Sequence, residues 1–253
     1  MAMRFGAHHE WGRLREVVIG IAPLAELVAR EGVTVHRPEN AQSFVRDALI
    51  VVGDHAIESS LRRQDRQQER FGVRSFVQKA ALERSARWSS VPPGWPNEVD
   101  GPFLEGGDTL LNGYEIYVGM SGRSSDMAGI DWLQAQLGAR YRVIPVAMKS
   151  DVLHLEDVLA LLQPGLLVWC PEKLIDGLPM SLRSWDAIAV STDEVASRAT
   201  NGLILDESRV VMDSDNARVI SELRKRRMDV IPVAFNCGLR AAHHPLLRES
   251  VLE

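Results

Sequence analysis

The sequence is poor in cysteine. Its 253 residues hold two, Cys170 and Cys237, too few for a disulfide framework or a four-ligand zinc site. Long apolar runs are also lacking: nothing approaches the roughly 18 residues that a membrane span needs. The opening stretch Met1-Ala2-Met3-Arg4-Phe5-Gly6-Ala7-His8-His9 has no apolar leader core. A net charge of −5, with lysines and arginines scattered, offers nucleic acid no basic footprint. One basic run, Arg224-Lys225-Arg226-Arg227, reads as a solvated helix end, where cations meet the negative pole of the helix dipole. Low-complexity linkers are absent. The expectation is a soluble, cytoplasmic protein with neither a nucleic-acid nor a membrane partner.

What is present is ordinary globular material, 45% hydrophobic and 25% charged, long enough to bury a substantial core. One domain over 1–253 is expected. Three segments share a pattern of two β-rich runs about a tight polar centre: 48–58 (ALIVVGDHAIE), 109–119 (TLLNGYEIYVG) and 202–212 (GLILDESRVVM). Gly53-Asp54, Asn112-Gly113 and Asp206-Glu207-Ser208 supply the residues that hairpin turns favour. Further strand candidates are 14–20 and 166–170. Helical spacing follows twice, through Ile130, Leu133 and Leu137, and through Val219, Ile220 and Leu223 behind Asp213-Ser214-Asp215. A strand ending in Val-Ile-Pro-Val follows each, at 143–146 and 230–233. A helix-like stretch over 22–37 precedes Val33-Thr34-Val35. A repeated strand–strand–helix–strand unit, too small to bury its own face, predicts quasi-symmetric packing about an axis. The proline- and glycine-rich stretch 91–102 is the one long loop.

Three stations could carry chemistry. In Phe103-Leu104-Glu105-Gly106-Gly107-Asp108, two acids flank two glycines, so backbone and carboxylates can approach a planar cation closely; Gly-Gly-Asp is equally a common turn. Ser43-Phe44-Val45-Arg46-Asp47 ends in an acid before a strand, which also reads as a cap or surface turn. In Asp151-Val152-Leu153-His154-Leu155-Glu156-Asp157, His154 has acids close by, as a general acid/base requires; alone it reads as a satisfied core histidine.

In this order the stations resemble those of the guanidine-modifying superfamily of amidinotransferases and dimethylarginine hydrolases. The resemblance runs through 9–20 (HEWGRLREVVIG), 105–119, 119–123, 153–165 and 239–248, essentially the whole chain. It implies an α/β fold, a five-bladed pseudosymmetric propeller (pentein) built from ββαβ units. It implies a small guanidino or amino-acid-like substrate, no cofactor and no metal, and leaves a homo-oligomer open. By the same resemblance Asp47 and Asp108 bind guanidinium, Glu105 partners the catalytic histidine, His154 is the acid/base, and Glu156 is a further acid near the substrate. Arg123 and Arg62 are candidates for a substrate carboxylate from their charge.

The pattern breaks at Asn236-Cys237-Gly238-Leu239-Arg240-Ala241-Ala242-His243-His244-Pro245-Leu246. Ala241 falls where the family keeps its nucleophilic cysteine, and a methyl group cannot attack a guanidinium carbon. Cys237 stands at a usual glycine. His243 stands at a usual small hydroxyl residue and is a candidate to line a remodelled pocket. Three explanations are compatible: a deliberate cysteine-to-alanine replacement, natural divergence, or transfer of the nucleophile's role to Cys237. The first two leave a guanidino amidinotransferase or amidinohydrolase without its thiol. The alternative is a non-covalent enzyme or a silent ligand-binding homologue using the acids and His154.

Overall fold

A computed structural model describes residues 6–19, 24–39, 44–93, 101–234 and, as backbone, 243–248. Five three-stranded sheets repeat one plan: an antiparallel pair, a crossover, then a third strand parallel to the middle one. In the first sheet β1 (Leu14–Ile19) is followed by α1 (Leu24–Arg30) and β2 (Thr34–His36). After the single helical turn α2 (Val45–Ala48) comes the second sheet: β3 (Leu49–Val52), β4 (His55–Glu58), α3 (Phe71–Arg84) and β5 (Arg87–Ser90). The third holds β6 (Thr109–Asn112), β7 (Glu115–Met120), α4 (Met127–Leu137) and β8 (Arg142–Ala147). The fourth pairs β9 (Leu159–Gln163) with β10 (Leu166–Trp169) and β11 (Asp186–Ala189). Short α5 (Thr192–Ala196) leads to the fifth: β12 (Leu203–Asp206), β13 (Arg209–Asp213), α6 (Ala217–Lys225) and β14 (Asp229–Val233). The last strand, β15 (His243–Arg248), runs antiparallel to β1 and completes the first sheet.

Local chemistry explains the units. Gly53 (φ 56°) and Gly113 (φ 64°) take the left-handed conformation at the first two predicted hairpins, which side chains rarely adopt. The third hairpin has no glycine; Asp206 Oδ1 instead accepts from Ser208 N at 3.0 Å, an Asx-type turn. Asp126 caps α4 by accepting from Gly129 N at 2.9 Å. Arg224 and Lys225 close the last turn of α6, and Arg226 just beyond it pairs with Asp186 and Glu222. The basic run is thus a helix end held by surface ion pairs.

Apolar faces meet between neighbouring sheets. Leu14, Val17 and Ile19 pack with Leu203, Leu205 and Val211, joining the first sheet to the fifth. Leu49–Val52 and Ile57 pack with Leu111, Ile116 and Val118, joining the second to the third. Leu110, Tyr117 and Val146 share a cluster with Leu159, Leu167, Ile204 and Val210 of the fourth and fifth. The result is a five-bladed α/β propeller. Among the described residues no helix is long and apolar enough to cross a membrane.

Candidate active site

The pseudosymmetry places the three stations equivalently. Each lies in a turn immediately before the first strand of its sheet. Asp47 is in α2 before β3; Glu105 precedes and Asp108 ends a 3-10 turn, Gly106–Asp108, before β6. His154 caps, and Glu156 lies in, a 3-10 turn, Leu155–Asp157, before β9. Short turns deliver these acids to one place because the strands behind them converge.

His154 is the hub. Its Nε2 lies 2.8 Å from Glu105 Oε2, and its Nδ1 lies 3.7 Å from Asp47 Oδ1. Asp47, His154 and Glu156 each present an atom within 4.8 Å of the others. Glu105 is fixed from behind, because Arg62 N donates to its Oε1 at 3.0 Å. Gly107 lies against the pair: a Cβ there would come within 2.7 Å of Asp47 Oδ1 and 2.8 Å of the His154 ring. The two glycines therefore let backbone fill the space between the acids.

Two arginines of the chain already face these carboxylates. Arg66 Nη2 donates to Asp47 Oδ2 at 2.9 Å while Glu69 takes its other edge. Arg46 Nε lies 2.5 Å from Glu156 Oε2, and its Nη2 reaches Thr109 O at 3.1 Å and, more loosely, Glu10 at 3.4 Å. Asp47 Oδ1 and the His154 ring remain turned toward each other between them.

The buried charges shift one another. Burial alone would depress the His154 imidazole. The charge of Asp47, the Glu105 hydrogen bond and Asp108 outweigh it and hold the group well above 6.5. His154 is therefore an imidazolium at neutral pH, a proton donor. Burial pushes Glu156 up to about 8; Arg46 opposes this, while Asp47 and Asp157 add to it. Among the described residues, Asp47, His154 and Glu156 are the group placed to hold a metal ion. An imidazolium has no lone pair to offer, however, and both acids already face guanidinium groups.

Asp108, expected on the guanidinium, has another task here. Its Oδ1 accepts from Leu155 N, and its Oδ2 from Ser124 Oγ, Ser125 N and Ser125 Oγ, at 2.5 to 3.1 Å. Four bonds fill a carboxylate's acceptor sites, so Asp108 ties the His154 turn to the loop after β7. Burial raises it to about 6 against those bonds and the His154 charge. Arg62 is engaged by Ser124 O and Asp126. Arg123 is exposed in the loop after β7. His243 opens β15 opposite Ile19, in backbone terms alone. Ala241 and Cys237 lie outside the described residues. In chain order Ala241 stands just before β15, the first strand of its own sheet, as the other stations stand before theirs. Sequence reasoning missed Arg66 and the role of Arg46. Arg46 adjoins Asp47, which was a local signal; Arg66 lies 19 residues from its acid and gave none.

No protein-family model matches the chain. Individual relatives do. YkgA of Bacillus subtilis is 26% identical over 193 residues, 76% of this chain and 63% of that protein. Putative inosamine-phosphate amidinotransferase 2 of Streptomyces griseus is 26% identical over 265 residues, 87% of this chain and 75% of that protein. The N(G),N(G)-dimethylarginine dimethylaminohydrolase of Streptomyces coelicolor is 35% identical over 128 residues, 49% of this chain and 44% of that protein. The chain is similar in sequence to amidinotransferases and to a dimethylarginine dimethylaminohydrolase. The chain spans less than two thirds of the length of YkgA. The solved structure of SxtG, an amidinotransferase of Microseira wollei, superposes with a TM-score of 0.86 at 20% identity over 98% of each chain. A C-to-A mutant of AgrE in binary complex with L-arginine superposes with a TM-score of 0.75 at 16% identity, covering 93% of this chain and 40% of that one. At such identities these two likenesses concern the fold alone.

Proposed function

We propose that the protein binds the guanidinium group of a small, arginine-like or specialised guanidino compound between Asp47 and Glu156, beside an intact proton-transfer pair, Glu105 and His154. The carrying observation is the cluster itself: two acids and an imidazole within 4.8 Å. Carboxylates pair with planar guanidinium through charge-assisted hydrogen bonds, and both acids already receive an arginine of the chain. Adding a cation beside the His154 imidazolium needs compensation, and Glu156 supplies it. Its carboxyl, near 8 in the resting site, gives up its proton when the guanidinium arrives.

Ala241 removes covalent catalysis at the family's nucleophile position, so this chain holds its ligand and positions a proton without forming a thioether. The cysteine-to-alanine AgrE mutant complexed with L-arginine supports recognition without the thiol on this fold. The names of the amidinotransferase relatives support the guanidino class. Restoring a thiol would restore a route: the thiolate attacks the guanidinium carbon, the leaving amine takes the His154 proton, and water or an acceptor amine then releases the amidino group.

The test compares the unmodified chain with Ala241→Cys against arginine, methylated arginines and agmatine. Calorimetry follows binding and mass spectrometry follows loss of substrate. The expected outcome is binding by both proteins and turnover by the variant alone. Turnover by the unmodified chain refutes binding without turnover, and absence of binding to either protein refutes guanidinium recognition.

A further inference from the structure

The fifth sheet has a turn of its own ahead of its first strand. Thr200, Asn201 and Gly202 precede β12, and Asn201 stands two residues before that strand, as Asp47 stands two residues before β3. The shared plan of the units aims it at the axis. A cavity of about 30 Å³ lies there, and every unit lines it. Glu10 comes from the segment before β1, Arg46 from α2, Leu110 from β6, Glu156 from the turn before β9, and Asn201 from the turn before β12. That volume has room for roughly one or two waters, and its polar walls offer them partners.

Most of those polar walls are committed to the protein. Glu10 Oε1 accepts from Leu111 N at 3.1 Å. Arg46 spans Glu156, Thr109 O and, more loosely, Glu10. Thr200 Oγ1 donates to Asp157 O at 2.6 Å, which ties the turn before β12 to the turn before β9. Asn201 differs. Its backbone is held, N donating to Arg198 O at 3.0 Å, yet no hydrogen bond to a described residue engages its amide. The residue is half-buried, and the amide keeps accessible surface in the wall of the cavity.

Glu156 faces two ways. It presents an atom within 4.8 Å of Asp47 and His154, and its side chain, 22% exposed, also lines the axial cavity. The charged groups about it are Arg46 and Asp47 on α2, His154 and Asp157 on its own turn, and Glu10 across the cavity. Burial, with Asp47 and Asp157, opposes its ionised form; Arg46 and the imidazolium favour it. An amide donor that reaches the carboxylate through one water favours it as well.

We propose that Asn201 is a positioning residue for Glu156: through water in the axial cavity, its amide N–H holds the carboxylate that receives a guanidinium. That role rests on guanidinium recognition at Glu156, whereas the contact itself needs no ligand.

The test begins with a ligand-free titration of Glu156 by carboxyl ¹³C NMR, in the unmodified full chain, Asn201→Ala and Asn201→Asp. Asn201→Asp keeps the shape of the side chain and removes its donor. The Glu156 midpoint should rise by about 0.5–1 pH unit in Asn201→Ala. It should rise further in Asn201→Asp, where a second carboxylate faces the first. Calorimetric titration with arginine and agmatine should show about three- to tenfold weaker binding by Asn201→Ala at pH 7, the loss shrinking as pH rises past the Glu156 midpoint. A merely structural role would weaken binding equally at every pH. A Glu156 midpoint unmoved in both variants, or a loss of binding that does not vary with pH, overturns the proposal. Failure of both compounds to bind the unmodified chain defeats guanidinium recognition instead, and the ligand-free midpoints then decide the role of Asn201.

Discussion

Replacing Glu105 by glutamine tests the hub of the site with one atom's change in kind. In the unmodified chain Glu105 Oε2 and His154 Nε2 lie 2.8 Å apart, with 3% of Glu105 and 5% of His154 exposed. An opposite charge at that distance favours the imidazolium. Glutamine keeps a carbonyl oxygen for Arg62 N and then turns its NH₂ toward His154 Nε2. Only a neutral imidazole, protonated at Nδ1 toward Asp47, can accept that bond. A hydrogen bond to a charged group contributes about 1.5–3 kcal/mol, so the variant should lose about that much stability at pH 6. For a chain of this size the loss is about 3–12 °C in melting temperature. Because the folded pKa of His154 lies above its unfolded value, its stabilisation is complete below pH 6.5 and fades as pH rises through the folded pKa. The penalty of Glu105→Gln should therefore shrink toward alkaline pH. Denaturant unfolding across pH 5–9, with NMR titration of the His154 ring, measures both quantities. A His154 already neutral at pH 7 in the unmodified chain, or a penalty that does not depend on pH, would refute the reasoning.

Two further outcomes follow from the same geometry. Binding of a guanidino compound should release about one proton per ligand at pH 7 and tighten as pH rises toward about 8, read as heat differences between buffers of unlike ionisation enthalpy; Glu156→Gln should abolish the release. Gly107→Ala should weaken guanidino binding at least about tenfold and cost about 1–3 kcal/mol of stability, because its methyl meets Asp47 and the His154 ring at once; unchanged binding by titration would show that the glycine is not needed for close approach.

The hairpins were legible because their signals are local. Gly53-Asp54, Asn112-Gly113 and the Asp206 turn announce a reversal within four residues, and the helices α4 and α6 announce themselves by spacing. The fourth sheet was half legible. Its β9 reads Leu-Ala-Leu-Leu-Gln, an apolar run that periodicity cannot assign, and its crossover to β11 contains only a short 3-10 turn, Met180–Leu182, instead of a helix. The acids and His154 were visible as residue types in motifs. Their partners were not, because Arg66 on Asp47 and Ser124–Ser125 on Asp108 are decided by where separate sheets bring distant segments. That is why sequence placed Asp108 on the ligand whereas the fold assigns it to the loop after β7.

The pairing of β15 with β1 gives the molecule a seam. Four of the five sheets draw their strands from neighbouring stretches of chain and can order as each is completed. The first sheet waits, because Leu14 meets Arg248 and Ile19 meets His243. Contacts of such sequence separation are slow to form. The ring is therefore shut by the last described strand of the chain. A ligand that bound only the closed ring would favour the docked strand by mass action.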